Sequence, residues 1–280
     1  MSARFDAADI KRYYDRHSAS FVRFGQGGAS IHRAVWGAGT RSRDDAFHYV
    51  DDQIAALVRP LISPSRETHV VDLGCGVGSS LRYLAERLPI RGTGITLSPA
   101  QAAMARQVVA DAGLSGRVDC LEGDYCDLPA TVMPADLAYA IESFVHGPDP
   151  ERFFAQCHRL LKPGGLLVVC DDVRDVTVSP DAARTIDEFM KGWHINTLLD
   201  NPALVRLARD AGFEHESTRN LTPMLEIHRV RDRALAAGVA LLRWVPLKLD
   251  RFDYVIGGGA LQTCLARGWI TYEFNVFRSR

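Results

Sequence analysis

From about residue 67 the chain alternates short apolar runs with amphipathic stretches. The runs THVVDLG (68–74), RGTGITLS (91–98), RVDCLEGDY (117–125), ADLAYAIES (135–143) and LLVVCDD (166–172) have the length of strands. Most are apolar almost throughout, as strands buried on both faces are. Between them, GSSLRYLAERL (78–88) sets Leu81, Leu84, Ala85 and Leu88 on one helical face. SPAQAAMARQVVADAGL (98–114) opens with Ser98 at a capping position and Pro99 at the first helical one, and stops near Gly113. DPERFFAQCHRLLKPGG (149–165) reads as a helix ended by Pro-Gly-Gly. Strands and helices in alternation predict an α/β, Rossmann-like doubly wound sheet, mostly parallel and covered on both faces.

Both flanks depart from this rhythm. Residues 1–66 carry aromatics, Arg and Gly and show no alternation of strand with helix. Within them DDAFHYVDDQIAALVRPLI (44–62) repeats Phe47, Val50, Ile54, Leu57 and Leu61 at helical spacing, with Ser42 or Asp44 as cap. Residues 67–175 form the alternating core. In residues 176–280, the stretches 179–199 and 201–213 are helical patterns, 213–223 a sixth strand and 229–246 another helix. The helix at 179–199 has no strand close behind it, which suits a cap over the sheet edge or the site. GWITYEFNVFRSR (268–280) alternates as a last strand should, and an antiparallel edge position is expected for it.

Composition narrows the class. Hydrophobic residues make up 47% of the 280 and the net charge is −1, so no broad basic field draws nucleic acid or an acidic membrane. No apolar run approaches the ~20 residues that cross a bilayer, and the polar N-terminus does not read as a secretory signal. Six cysteines, none in C-x-x-C, read as reduced core residues of a cytoplasmic protein. A homo-oligomer is compatible with all of this.

The first strand runs into Gly74-Cys75-Gly76-Val77-Gly78, a turn that lets a ligand approach the backbone. A dinucleotide loop would carry G-x-G-x-x-G; here the step is G-x-G-x-G, followed by Ser79 and Ser80. Asp72 stands two residues before Gly74, where it would repel a pyrophosphate but suit a cationic amino-acid group. Charge therefore favours S-adenosylmethionine over a nicotinamide dinucleotide.

The second strand ends GITLSPAQ, where a dinucleotide enzyme would carry Asp or Glu for the ribose. Here the sequence resembles the class I methyltransferases related to tocopherol, sterol, prenyl-diphosphate and cyclopropane-fatty-acid methyltransferases. Thr96, Leu97, Ser98 and Gln101 match that group position by position. The resemblance implies that Thr96 and Gln101 bond the ribose and that Leu97 packs on adenine. It also implies that Asp124 in EGDYCDLP accepts from the adenine amino group, with Tyr125 and Cys126 beside it, and that Ile141 joins the cofactor site. HRLLKPGGLLVV (158–169) extends the likeness, which is good over residues 68–172.

At the end of the fourth strand stand Glu142 and Ser143, an E-S pair that in the related enzymes faces the methyl group. A buried carboxylate there would stabilise the carbocation left by methylation of an alkene. His146 is a second candidate, as base for an oxygen or nitrogen nucleophile. Tyr13, Tyr14, Phe24, Trp36, Phe144, Phe189 and Trp193 are the aromatic candidates for an apolar substrate pocket, although any one alone fits core packing equally well. The resemblance implies that residues 1–66 are an N-terminal helical lid over the substrate, in which Gly25, Gln26, Gly27 and Gly28 suit a hinge. Arg23, His32, Arg33, Arg41 and Arg43 suit a diphosphate clamp, and Mg2+ enters only if the substrate is a diphosphate. The expected function is methylation of a small hydrophobic substrate, foremost C-methylation of an isoprenoid. The alternatives are O- or N-methylation of a secondary metabolite and a non-catalytic cofactor-binding subunit.

Overall fold

The computed structural model describes residues 4–6, 9–12, 32–227 and 253–280. Tyr13, Tyr14, Phe24, the glycine-rich hinge at 25–28 and the helix expected at 229–246 lie outside them.

The strands are β1 (Thr68–Leu73), β2 (Ile90–Thr96), β3 (Val118–Glu122), β4 (Ala135–Ile141), β5 (Leu161–Arg174), β6 (Phe213–Asn220) and β7 (Ile270–Ser279). They form one sheet in the order β3-β2-β1-β4-β5-β7-β6. β1 to β5 pair in parallel, and β7 runs antiparallel to both neighbours. Every residue of β1 and β4 is buried, because helices cover both faces of the sheet centre. The chain leaves β1 toward β2 and β3, then returns to pair β4 on β1's other side. The crevice between the carboxyl ends of β1 and β4 is thus the switch point where such sheets bind ligands.

The helices are α1 (Arg43–Phe47), α2 (Tyr49–Val58), α3 (Ser79–Arg87), α4 (Pro99–Asp111), α5 (Pro150–Leu160), α6 (Pro180–Gly192), α7 (Asn201–Asp210) and α8 (Asp253–Arg267). Ser98 caps α4 by accepting from the Gln101 N–H, and Asp149, Ser179 and Asp200 do the same for α5, α6 and α7. One apolar cluster packs α2, α3 and α4 on one sheet face; a second, rich in Phe, packs α5 and α7 on the other. A third joins α6 to α8 and to Ile270 at the start of β7. Among the described residues no helix is long and apolar enough to cross a membrane.

Four sequence expectations change. The single helix at 44–62 is two, because His48 (φ −95°, ψ 5°) breaks it; Ser42, in a reciprocal capping box with Asp45, starts the first. The helix at 179–199 stops at Gly192, and His194 just beyond has φ +54°. Lys162-Pro163-Gly164-Gly165 begins β5 rather than a loop, and the pairing of β5 with β4 shifts register there. Finally, β7 is not an edge strand. It lies between β5 and β6, and β6, exposed everywhere but Phe213, forms the edge.

The tightest approach in the crevice is at Gly74, with φ +98°; a Cβ there would lie 2.4 Å from Ser143 Cβ. Gly74→Ala combines that clash with a left-handed backbone and should cost about 2–4 kcal/mol in denaturant unfolding. Gly113, with φ +70° and no atom within 4 Å of a built Cβ, isolates the backbone share. Gly113→Ala should cost only about 1–2 kcal/mol. Equal losses would mean that contact with Ser143 constrains nothing.

Candidate active site

The loop after β1 turns through three glycines of positive φ, Gly74, Gly76 and Gly78. Its first two N–H groups, of Gly74 and Cys75, donate to the Ile95 carbonyl of β2 at 2.9 Å. Ser143, at the end of β4, locks the loop from the other side by donating from Oγ to the Leu73 carbonyl at 2.6 Å. The Tyr125 hydroxyl donates to the Ser143 carbonyl at 2.7 Å. Tyr125 thus positions the loop–strand junction, and its ring packs edge-on against Phe153.

Asp72 is 4% exposed and receives the Tyr139 hydroxyl at 3.0 Å. Burial pushes its pKa up to about 8, a rise opposed by the Tyr139 hydrogen bond and increased by nearby Asp51. A buried carboxylate facing a neutral hydroxyl and another acid is a poor seat for phosphate and a good one for an ammonium. The residues therefore fit the cationic end of S-adenosylmethionine.

Thr96 and Gln101 are buried and meet each other, Thr96 Oγ1 donating to Gln101 Oε1 at 2.8 Å. They form one polar pair at the end of β2, where a ribose would compete for the same groups. Leu97 is half-buried beside them, while the Ser98 hydroxyl is engaged as the α4 cap. Asp124 is half-buried and spends one oxygen on the Cys126 N–H at 2.7 Å. Cys126 is buried, its thiol donating to the Asp149 carbonyl; burial pushes its pKa up to about 12. Ile141 is buried in the cluster under α2 and α3.

Glu142 carries positive φ, +49°, which is uncommon for a non-glycine residue and clusters at functional sites. Its Oε1 accepts from the Arg33 backbone N–H at 2.9 Å and from the Tyr272 hydroxyl at 3.0 Å. The Arg33 guanidinium forms a bidentate pair with Asp172 at 2.6 and 2.7 Å and lies 4.8 Å from the Tyr272 ring centroid. Burial disfavours the Arg33 charge, but Asp172 and Glu142 hold its pKa above the ordinary value. The 32–36 segment is itself tied down, Val35 bridging Leu225 and the Trp36 N–H donating to the Met224 carbonyl. Sequence reasoning missed Tyr272 and read Arg33 for phosphate. No local signal marks either, since Glu142 is reached from 109 positions earlier and 130 later.

His146 is buried in a turn at Phe144–His146, and its Nδ1 lies 3.2 Å from the His194 carbonyl. Burial pushes its pKa down to about 4, against the raising effect of that hydrogen bond, so it is a neutral imidazole at physiological pH. Phe144 packs with Phe153 and Phe154 in the second cluster. Phe189 is fully buried in the third, beside half-buried Trp193. Trp36 is 37% exposed.

Asp72 titrates with a definite sign. Its folded pKa of about 8 lies above the ordinary 3.8, so the folded chain keeps a proton that the unfolded chain releases. The stability this contributes is full below pH 4 and is lost as pH rises to 8. Asp72→Asn abolishes the loss. In thermal scans of the cofactor-free protein, the variant's gain in midpoint should grow from near zero at pH 4 to its maximum above pH 8. A gain independent of pH would contradict the assignment.

Comparison with known proteins agrees with this geometry. A model of a methyltransferase domain matches residues 71–169. The chain is 34% identical over 208 residues to the O-methyltransferase cnsE of Penicillium expansum, covering 74% of this chain and 72% of that protein. It is 25% identical to the sarcosine/dimethylglycine N-methyltransferase of Halorhodospira halochloris over 99% of both. In fold it matches the cyclopropane synthase MmaA2 of Mycobacterium tuberculosis, with TM-score 0.77, 17% identity and coverage of 100% and 99% of the two chains. The glycine loop, the GITLSPAQ turn and these similarities place the chain in the class I S-adenosylmethionine-dependent methyltransferase family.

Proposed function

We propose that the chain methylates a small hydrophobic metabolite at carbon, foremost an isoprenoid alkene, with Glu142 as the anion beside the reacting atom. The observation that carries this reading is the fixation of Glu142. A strained backbone and two donors on Oε1 hold its carboxylate in one orientation at the end of β4. When bound, the cofactor supplies an electrophilic methyl group on its sulfonium. An alkene that takes up this methyl with its π electrons becomes a carbocation and then loses a proton. A carboxylate fixed in advance stabilises such a cation without reorganising. The Tyr272 ring and the Arg33–Asp172 pair would form the wall behind it. Residues 1–66 would cover the site as a lid and the α6–α8 cluster would cap it.

Arg33 and Arg43, two of the five residues suited to a diphosphate clamp, pair within the chain. Arg33 is held by Asp172 and Arg43 pairs with Glu226 at 3.4 Å. A prenyl diphosphate stays within the proposed substrate class, and Mg2+ enters only if the substrate is a diphosphate. A second reading, transfer to oxygen or nitrogen, is favoured by the buried neutral His146 and by the names of the two relatives.

Glu142→Gln keeps size and loses charge. Turnover should fall about 10²- to 10³-fold, with S-adenosylhomocysteine affinity unchanged by calorimetry. Tyr272→Phe, which removes one donor, should lower kcat by about 3- to 10-fold. Screening isoprenoid alkenes, phenols and amines with methyl-labelled cofactor identifies the acceptor atom by NMR. Label bound to oxygen or nitrogen would replace the carbon reading, and an unaffected rate in the Gln variant would remove Glu142 from the chemistry.

A further inference from the structure

Asp51, on α2, takes no part in the site as described so far, yet it is 2% exposed. Its Oδ2 lies 2.7 Å from His48 Nδ1, at the break between α1 and α2. The His48 ring is clamped in turn, stacked on Tyr83 of α3 with centroids 3.9 Å apart. The Tyr83 hydroxyl donates to Asp52 at 2.8 Å. This chain of contacts fixes one oxygen of Asp51 and leaves the other, Oδ1, buried without a hydrogen-bond partner. An orphaned carboxylate oxygen is costly inside a protein, and it marks a place where a donor is missing.

The neighbourhood identifies the missing donor. α2 and α3 pack in the same cluster as Val70, Cys75 and Tyr139, on the sheet face that carries Asp72 beside the glycine loop. Asp51 acts electrostatically on both Asp72 and Tyr139, raising the pKa of each. Two buried acids share this corner, and the Tyr139 hydroxyl is already given to Asp72.

We infer that Asp51 is a second carboxylate for the ammonium group of the cofactor's methionine portion, opposite Asp72, with His48 as the positioning residue that holds it. An ammonium brings one positive charge and three donors. It would supply Oδ1 with its partner and give the two carboxylates a shared cation. The assignment rests on Asp72 being the cofactor's cation site, and it adds a contact from the helix that leads into the core.

Calorimetry with two ligands tests it. S-adenosylhomocysteine carries the ammonium; 5′-methylthioadenosine has the same nucleoside and no amino-acid portion. Asp51→Asn should weaken the first by about 10- to 100-fold and leave the second unchanged. Asp51→Ser serves as the second variant should the first not fold. Unchanged affinity for S-adenosylhomocysteine, or equal weakening of both ligands, would each overturn the proposal. Asp72→Asn separates the two layers: if it too leaves S-adenosylhomocysteine binding intact, the Asp72 reading fails, and Asp51 with it. If it weakens binding and Asp51→Asn does not, Asp51 alone is excluded.

Discussion

The contact between Gly74 and Ser143 is the constraint on which the site depends. β1 and β4 lie side by side, and at their carboxyl ends one must turn into a loop while the other stops. Only a residue without a Cβ fits against Ser143 there, and the Ser143 hydroxyl bonds the last carbonyl of β1. Fixing Ser143 fixes Glu142 before it, in a backbone conformation that few side chains adopt. The proposed cation site and the proposed reaction site are thus built on one junction, which Tyr125 braces.

Charge is the second organising feature. Asp51, Asp72, Asp171 and Asp172 are all buried near the carboxyl edge of the sheet, and Glu142 is mostly buried there. Arg33 answers Asp172 and borders Glu142. Burial and the neighbouring Asp172 hold the Asp171 pKa well above the usual carboxylate range, and the Val145 N–H donates to it. Asp72 meets a neutral hydroxyl, and Asp51 meets the His48 ring with one oxygen only. A fold that leaves acids uncompensated is less stable empty than full, since a ligand that binds only the folded state stabilises it by mass action. Strain at Glu142 and the orphaned Oδ1 of Asp51 fit the same pattern under the proposed reading, in which stability is given up where a ligand is held.

The sequence made the central sheet legible because each of its signals is local. Apolar runs, the Ser98-Pro99 helix start and the missing acid after β2 all lie within a few residues of what they specify. Asp72 stands out for the same reason, beside the glycine loop, and Thr96 and Gln101 through the resemblance carried by GITLSPAQ. What the sequence hid was produced by long-range pairing. Tyr272 looked like one more residue of an alternating strand until β7 was inserted between β5 and β6. Arg33 suggested phosphate because its partner Asp172 lies 139 positions away. The break at His48 escaped notice because helical spacing runs through it; a side-chain bond to Asp51 and stacking on Tyr83 fix that residue from outside the helix pattern.

The central claim is that one crevice holds the cofactor's cation against buried acids and turns its sulfur toward Glu142. A crystal structure with S-adenosylhomocysteine tests this most directly. The account predicts the ammonium within hydrogen-bonding distance of Asp72, the ribose at Thr96 and Gln101, and Glu142 bordering an enclosed apolar space next to the sulfur. An ammonium turned to solvent, or a wide polar groove between the sulfur and Glu142, would contradict it.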